Sequence, residues 1–145
     1  MSFKLALITG ATSGIGEALA TLIASKGIPL ILTGRDLTKL DLITKRLSKS
    51  VGVETLAADL TNPEDRTRLI HLLKDRPVDL LVNNAGMGLY GEAVFGSVKS
   101  QMEILELNAN AVLELTLEGA QNMINRKMRG VIMNISSAAA FQVFP

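Results

Sequence analysis

Glycine, serine and threonine are concentrated in one segment near the start of the chain, Thr9-Gly10-Ala11-Thr12-Ser13-Gly14-Ile15-Gly16. The apolar run before it predicts a buried strand, and the run after it predicts a helix. Glycines let the backbone turn sharply and approach a ligand closely, and the first amides of a helix attract an anion. The segment is therefore a candidate phosphate-binding turn. The alternative is a turn that serves only to pack the helix against the strand.

Polar residues also follow the later apolar runs of the chain. They are Gly34-Arg35, Asp59, Asn83-Asn84 and Ser136-Ser137. In a parallel sheet these positions meet at one edge, outside the carboxyl ends of the strands, where such sheets bind ligands. We therefore expect one binding site there.

Strands and helices alternate along the chain. The predicted strands are Lys4–Thr9, Leu30–Thr33, Val53–Ala58, Val78–Asn83 and Val131–Ile135. The predicted helices are Ile15–Lys26, a helix opened by Asp36, a helix from Pro63 that stops before Pro77, and a long helix from Val98 to about Arg126. This alternation predicts an α/β fold, a Rossmann-type doubly wound parallel sheet with strand order 3-2-1-4-5.

Helix faces and caps follow from side-chain type and spacing. The apolar residues Ile15, Leu19, Leu22 and Ile23 predict the buried face of the first helix. Ser97 is a candidate N-cap of the long helix. The acidic residues of that helix, Glu103, Glu106, Glu114 and Glu118, predict a solvated side.

Composition excludes several functional classes. The 145 residues suffice for one compact domain, and a net charge of +1 argues against nucleic acid as a partner. The absence of cysteine excludes disulfides and thiolate metal sites, and His71 lies in a predicted helix, so we expect no metal. No apolar run is long enough to span a bilayer and no leader sequence is evident, so we expect a cytoplasmic protein without membrane attachment.

Four segments in order resemble the short-chain dehydrogenase/reductase family. The turn fits the family pattern T-G-x-x-x-G-x-G, and Asn83-Asn84-Ala85-Gly86 fits its N-N-A-G motif. Leu107-Asn108-Ala109 fits the helix position where the family keeps an asparagine, and Asn134-Ile135-Ser136-Ser137 fits the end of its fifth strand. The resemblance covers the whole chain. It implies an NAD(P)-dependent oxidoreductase that interconverts a carbonyl and an alcohol of a small-molecule substrate by hydride transfer.

The resemblance assigns roles to individual residues. The cofactor-binding residues it implies are Gly10, Ser13, Gly14, Ile15, Gly16, Arg35, Asp59, Leu60, Asn84, Ala85 and Gly86. Gly14 is expected where a side chain would collide with the pyrophosphate or the turn. The catalytic residues it implies are Ser137, which hydrogen-bonds the substrate oxygen, and Asn108, which holds a water in a proton relay.

Each role has a structural alternative. Asp59 is expected to bind the adenine amino group, or else to serve the Thr61-Asn62 turn. Asn108 could bond only helix backbone, and a capping or strand-end role fits Ser136 better than Ser137. We favour a structural role for Asn83, whose amide could tie adjacent strands.

Arg35 bears on the choice of cofactor. Relatives that bind NAD carry an acidic residue at the end of the second strand, where this chain has Gly34 followed by Arg35. The guanidinium is a planar fork suited to phosphate, so NADP is predicted and NAD is less favoured. The alternative is a surface arginine that pairs with Asp36.

The family's Tyr-x-x-x-Lys motif lies on the helix after Ser137, and the chain ends at Pro145. We therefore expect residues 1–145 to be the NAD(P)-binding domain of a longer enzyme that forms a homo-oligomer. Tyr90 lies in the loop between Gly86 and Gly96, outside this motif, so it is rejected as the catalytic acid and expected to line a pocket wall instead. The alternative function is a non-catalytic module of the same fold that binds or senses NAD(P).

Overall fold

A computed structural model describes residues 3–141 of the chain. The strands are β1 Ala6–Thr9, β2 Leu30–Gly34, β3 Val53–Ala57, β4 Leu80–Asn83 and β5 Val131–Asn134. The α-helices are α1 Gly14–Ser25, α2 Leu37–Leu47, α3 Pro63–Asp75, α4 Val98–Leu105 and α5 Ala111–Asn125. A π-helical turn, Glu106–Asn110, joins α4 to α5. No helix within residues 3–141 is both long enough and apolar enough to cross a membrane.

The five strands form one parallel sheet in the order β3-β2-β1-β4-β5, as predicted. Thr9 lies beside Thr33, and Asn83 lies beside Asn134, so the carboxyl ends of the strands are level. Each predicted strand is within two residues of its observed bounds at either end. The alignment brings the polar strand ends to one edge, as the sequence predicted.

The central strands β1, β2 and β4 are buried on both faces by helices, whereas β3 is half-buried and the edge strand β5 is mostly exposed. On one face Ile8, Leu32 and Val82 pack with residues of α1 and α2. On the other face Leu7 and Leu81 pack with residues of α3 and α5. Burial on both faces explains why these strands are continuously apolar.

The predicted buried face of α1 is partly wrong. Gly16, Ala20 and Ala24 are its buried residues, whereas Ile15 and Leu22 are 57% and 55% exposed. Small residues let the helix lie close to the sheet; a Cβ on Gly16 would overlap the carbonyl oxygen of Gly10. The periodicity of large residues therefore misplaced the contact face.

The long predicted helix is interrupted by the π turn. Ser97 caps its start as predicted, because the Ser97 hydroxyl accepts a hydrogen bond from the Ser100 amide at 3.2 Å. The prediction of a solvated acidic side holds in part: Glu114 is 46% exposed, but both Glu106 and Glu114 pair with the buried Arg66 on α3. Glu118 likewise pairs with Lys74 on α3. The three carboxylates face α3, and the sequence could not indicate these pairs because Arg66 and Lys74 are distant in the chain.

Candidate functional site

A cavity of about 430 Å³ lies at the carboxyl ends of the strands. Its lining residues are Gly10, Ser13, Gly14, Ile15, Thr33, Gly34, Arg35, Ala58, Asp59, Leu60, Asn84, Ala85, Gly86 and Leu107. The structure thus brings together every predicted cofactor-binding residue except Gly16. The cavity is also lined by four residues outside that predicted set, namely Thr33, Gly34, Ala58 and Leu107.

Glycine is required in the turn between β1 and α1 for different reasons at different positions. Gly10 has φ 64°, and a Cβ there would stand 2.8 Å from the Ala85 Cα. A Cβ on Gly16 would stand 2.5 Å from the side-chain Nδ2 of Asn84. Gly14 has φ 54° with no atom within 4 Å of a Cβ, so the expected collision with the turn is wrong there. Gly14 instead provides a left-handed backbone beside open space.

The turn and the Asn84–Gly86 segment are joined by the buried Thr9. The Thr9 Oγ1 accepts hydrogen bonds from the amides of Asn84 and Ala85, both at 2.9 Å. The Asn84 side-chain amide donates in return to the carbonyls of Thr9 at 3.0 Å and Gly10 at 3.2 Å. Two walls of the cavity are therefore one hydrogen-bonded unit. Sequence reasoning did not assign Thr9 a role, although it precedes the first glycine of the turn.

Asn83 has the structural role that the sequence favoured. Its side-chain Nδ2 donates to the Asn134 Oδ1 at 2.9 Å and to the Thr116 Oγ1 at 3.1 Å. These bonds tie β4 to β5 and to α5. The neighbouring Asn84, unlike Asn83, lines the cavity.

Arg35 faces Asp59 across the adenosine end predicted for the cavity. Its Nη1 lies 4.0 Å from the Asp59 Oδ2, and the two side chains are 65% and 42% exposed. The alternative pairing of Arg35 with Asp36 is wrong, because Asp36 caps α2 and pairs with Lys39. A Cβ at Gly34 would stand 2.8 Å from the Thr12 methyl group, so Thr12 crowds any larger residue there.

Asp59 also has the structural role that the sequence offered as its alternative. Its Oδ1 accepts hydrogen bonds from the Thr61 amide at 3.0 Å and the Thr61 hydroxyl at 2.8 Å. Its own amide donates to the Asp65 Oδ2 at 2.8 Å. That amide, helped by Arg68, holds the pKa of Asp65 below its ordinary value. The Asp59 backbone is thus fixed, and Oδ2 is directed to Arg35.

Asn108 and Ser137 are exposed and do not line the cavity. Asn108 lies in the π turn, where its Oδ1 accepts from the Met87 amide at 3.0 Å and its Nδ2 donates to the Met87 carbonyl at 2.7 Å. It therefore binds the loop after Gly86 rather than helix backbone. Ser137 caps a short 3₁₀ turn, because its Oγ accepts from the Ala139 amide at 3.2 Å. Assigning the capping role to Ser136 was wrong.

Two other residues singled out in the sequence lie on the surface. Tyr90 is fully exposed in the loop after β4 and does not line the cavity, so the expected pocket-wall role is wrong. His71 is exposed on α3. Within residues 3–141 no group of three or more acidic or imidazole side chains is placed to hold a metal ion. The groups that the described cavity offers a ligand are backbone amides, the Arg35 guanidinium, the Asp59 carboxylate and short polar side chains.

Comparison with known proteins yields one family. Residues 4–145 match the family model described as short chain dehydrogenase. An uncharacterised oxidoreductase of Staphylococcus saprophyticus is 35% identical over 144 residues, which cover 97% of this chain and 61% of that protein. This chain thus spans about three fifths of that relative.

Two solved structures resemble the fold closely. A bulky-bulky ketone specific alcohol dehydrogenase from Comamonas testosteroni has a TM-score of 0.91 and 33% identity, over 97% of this chain and 57% of that one. A short-chain dehydrogenase from Sphingobium yanoikuyae in complex with NADPH has a TM-score of 0.90 and 36% identity, over 95% of this chain and 55% of that one.

Proposed function

This chain belongs to the short-chain dehydrogenase family of oxidoreductases, and we propose that it binds NADP for the interconversion of a carbonyl and an alcohol. The observation that carries the proposal is the cavity at the carboxyl ends of the strands. The glycine turn at the start of α1 borders the cavity on one side. Arg35 borders it at the end of β2, where an acidic residue would repel a phosphate.

The residues fit a dinucleotide. Ser13 precedes α1 without a side-chain capping bond, so its hydroxyl does not compete for the first amides of the helix. Those amides and Gly14 would hold the pyrophosphate, and the Asn84–Gly86 segment would hold the nicotinamide side. Asp59 and Leu60 would hold the adenosine. When bound, NADP supplies the hydride acceptor or donor, and the protein supplies orientation.

Arg35 is the residue that we assign to the adenosine phosphate. It is the cation among the lining residues of the cavity, and its planar fork suits a phosphate. Gly34 carries no carboxylate that would bind ribose hydroxyls. The NADPH complex of the Sphingobium yanoikuyae relative supports a dinucleotide ligand for this fold.

Ser137 is the residue that we assign to the substrate oxygen. Its Oγ accepts one hydrogen bond from Ala139, so its O–H remains able to donate to a carbonyl. Asn108 retains one N–H and one lone pair beyond its pair with Met87, which is sufficient to hold a water. A small-molecule ketone or alcohol is the proposed substrate, and the ketone-specific alcohol dehydrogenase among the neighbours supports that class.

A non-catalytic NAD(P)-binding or sensing module is the second candidate. It is favoured by the engagement of Asn108 and Ser137 with backbone groups, which gives each a structural purpose. Exchange of Ser137 for alanine in the whole protein distinguishes the two: an enzyme loses turnover, whereas a sensor keeps cofactor binding and has no turnover to lose.

We also propose that the protein forms a homo-oligomer in the cytoplasm. The α4–α5 region exposes large apolar side chains, namely Val98, Met102, Leu105, Leu113 and Leu117. A second copy would remove this surface from water. Sedimentation analysis of the whole protein and of a Leu113→Lys variant tests the pairing, and cell fractionation tests the location.

A matched pair of glycines tests the phosphate site. Gly14 and Gly27 both have a left-handed backbone and no atom within 4 Å of a Cβ, but only Gly14 borders the cavity. An alanine at either position costs about 1–2 kcal/mol of backbone strain. We expect Gly14→Ala to lose NADPH binding in a fluorescence titration and Gly27→Ala to keep it. Equal affinities in the two variants would contradict the proposed site.

A further inference from the structure

Arg66 is a buried cation behind the wall of the cavity. It lies on α3 and is only 5% exposed. A buried charge is costly unless ion pairs and hydrogen bonds compensate it. The groups that surround Arg66 therefore indicate what its position is used for.

The guanidinium contacts three separate segments. Its Nη1 donates to the carbonyls of Leu60 at 3.0 Å and Thr61 at 3.3 Å, before α3. The same Nη1 lies 3.1 Å from the Glu106 Oε2, and Nε lies 2.9 Å from the Glu114 Oε2. Arg66 thus joins the loop after β3 to the π turn and to α5.

Each of the first two segments contributes to the cavity. Leu60 lines it directly. Glu106 is the first residue of the π turn, and the next residue, Leu107, also lines the cavity. From outside the cavity, the arginine therefore holds one lining residue, Leu60, and the residue that precedes another, Leu107.

The π turn is held from outside at its first residue and in its middle, and its two ends are bonded to each other. Glu106 uses its second oxygen, Oε1, to accept a hydrogen bond from the Asn110 side chain at 3.0 Å. In the middle, Asn108 makes its paired bonds to Met87. Glu106 lies two residues before Asn108 in the same turn, so loss of its contact with Arg66 would let Asn108 move relative to Met87.

We propose that Arg66 is a positioning residue. It holds the π turn Glu106–Asn110 and the Leu60 carbonyl in one arrangement, and thereby sets Asn108 against the loop that follows Gly86. The consequence for cofactor affinity rests on the proposed function, since Leu60 and Leu107 then form a fixed wall for NADP. The arrangement of Asn108 does not depend on that function.

The test uses Arg66→Met, which keeps an unbranched apolar stem and removes the guanidinium with its charge and donors. Arg76→Met is the control. Arg76 follows the last residue of α3 and is 48% exposed, but it also joins that helix to another element, through Glu54 on β3 at 3.0 Å, away from the cavity. The first measurement is the NMR signals of the Met87 amide and the Asn108 side-chain amide, taken without cofactor. The second is the Kd for NADPH.

We expect both sets of NMR signals to shift in Arg66→Met and to stay in place in Arg76→Met. We expect the Kd for NADPH to rise by roughly fivefold or more in Arg66→Met and by less than about twofold in the control. Arg66→Lys should give an intermediate result, because an ammonium keeps the charge but cannot span Leu60 and both carboxylates. A folded Arg66→Met protein with unchanged Met87 and Asn108 signals would overturn the proposal.

The remaining outcomes are also decisive. Failure of the unaltered protein to bind NADPH would refute the proposed function, while the NMR signals would still decide the role of Arg66. If Arg66→Met does not fold, Glu106→Gln decides, because it keeps the side-chain shape and removes one charge of the cluster. Shifted Met87 and Asn108 signals in Glu106→Gln support the proposal, and unshifted signals refute it.

Discussion

Exchange of Arg35 for alanine removes the cation that borders the cavity. The guanidinium is 65% exposed and lies 4.0 Å from the Asp59 carboxylate, an ion pair without a short hydrogen bond. A phosphate on the adenosine ribose would compete with that carboxylate for the same fork. NAD lacks the phosphate and should not respond to the change.

The expected loss of NADPH affinity is the difference between the phosphate contact and the Arg35–Asp59 ion pair that it replaces. A hydrogen bond to a charged group contributes about 1.5–3 kcal/mol net. An exposed ion pair such as Arg35–Asp59 is worth about 0.2–1 kcal/mol, and the phosphate must offset its loss. We therefore expect NADPH binding to weaken by about 1–2 kcal/mol, which is roughly five- to thirtyfold in Kd.

The assay is fluorescence titration with NADPH and NADH on the unaltered protein and on two variants, Arg35→Ala and Lys39→Ala. Lys39 is a suitable control because it is similarly exposed, follows closely in the chain and pairs with Asp36 instead of bordering the cavity. The effect on NADPH should shrink as salt is added, because exposed charges are screened. Equal losses for NADPH and NADH, or equal losses in the two variants, would refute the assignment.

Two further changes test the frame of the site and its chemistry. Thr9→Val leaves the backbone amides of Asn84 and Ala85 without their acceptor and should lower the free energy of unfolding in urea by about 1–3 kcal/mol. Thr33→Val is its control, because the Thr33 hydroxyl is buried without a hydrogen-bond partner among the described residues. Equal losses in both variants would contradict the role of Thr9. Residues 1–145 alone should oxidise NADPH with a panel of ketones at least about a hundredfold more slowly than a full-length relative. The reason is that their one tyrosine, Tyr90, is fully exposed and Ser137 is a poor proton donor at neutral pH. A rate that matches that of the relative would contradict this prediction.

The strand order and the polar edge could be predicted from sequence because their signals are local. Continuous apolar runs indicate strands buried on both faces, and the Asn62-Pro63 pair marks the start of α3, where the Asn62 side chain accepts from the Glu64 amide at 2.8 Å. The glycine spacing located the turn between β1 and α1. Each of these features is set by a few neighbouring residues.

The interior contacts were decided by the tertiary structure. Glu106 and Glu114 carry no sequence sign of facing Arg66, which is 48 residues from Glu114, and their spacing predicted a solvated side instead. No residue type in the sequence marked the π turn, because it is a single wider turn inside an otherwise continuous helical run. Gly14 and Gly16 look alike in the sequence, yet one requires glycine for its left-handed backbone and the other for the close approach of Gly10 and Asn84. Sequence by itself thus determined which elements form and where the cavity lies, and only long-range packing decided which side chains hold its walls.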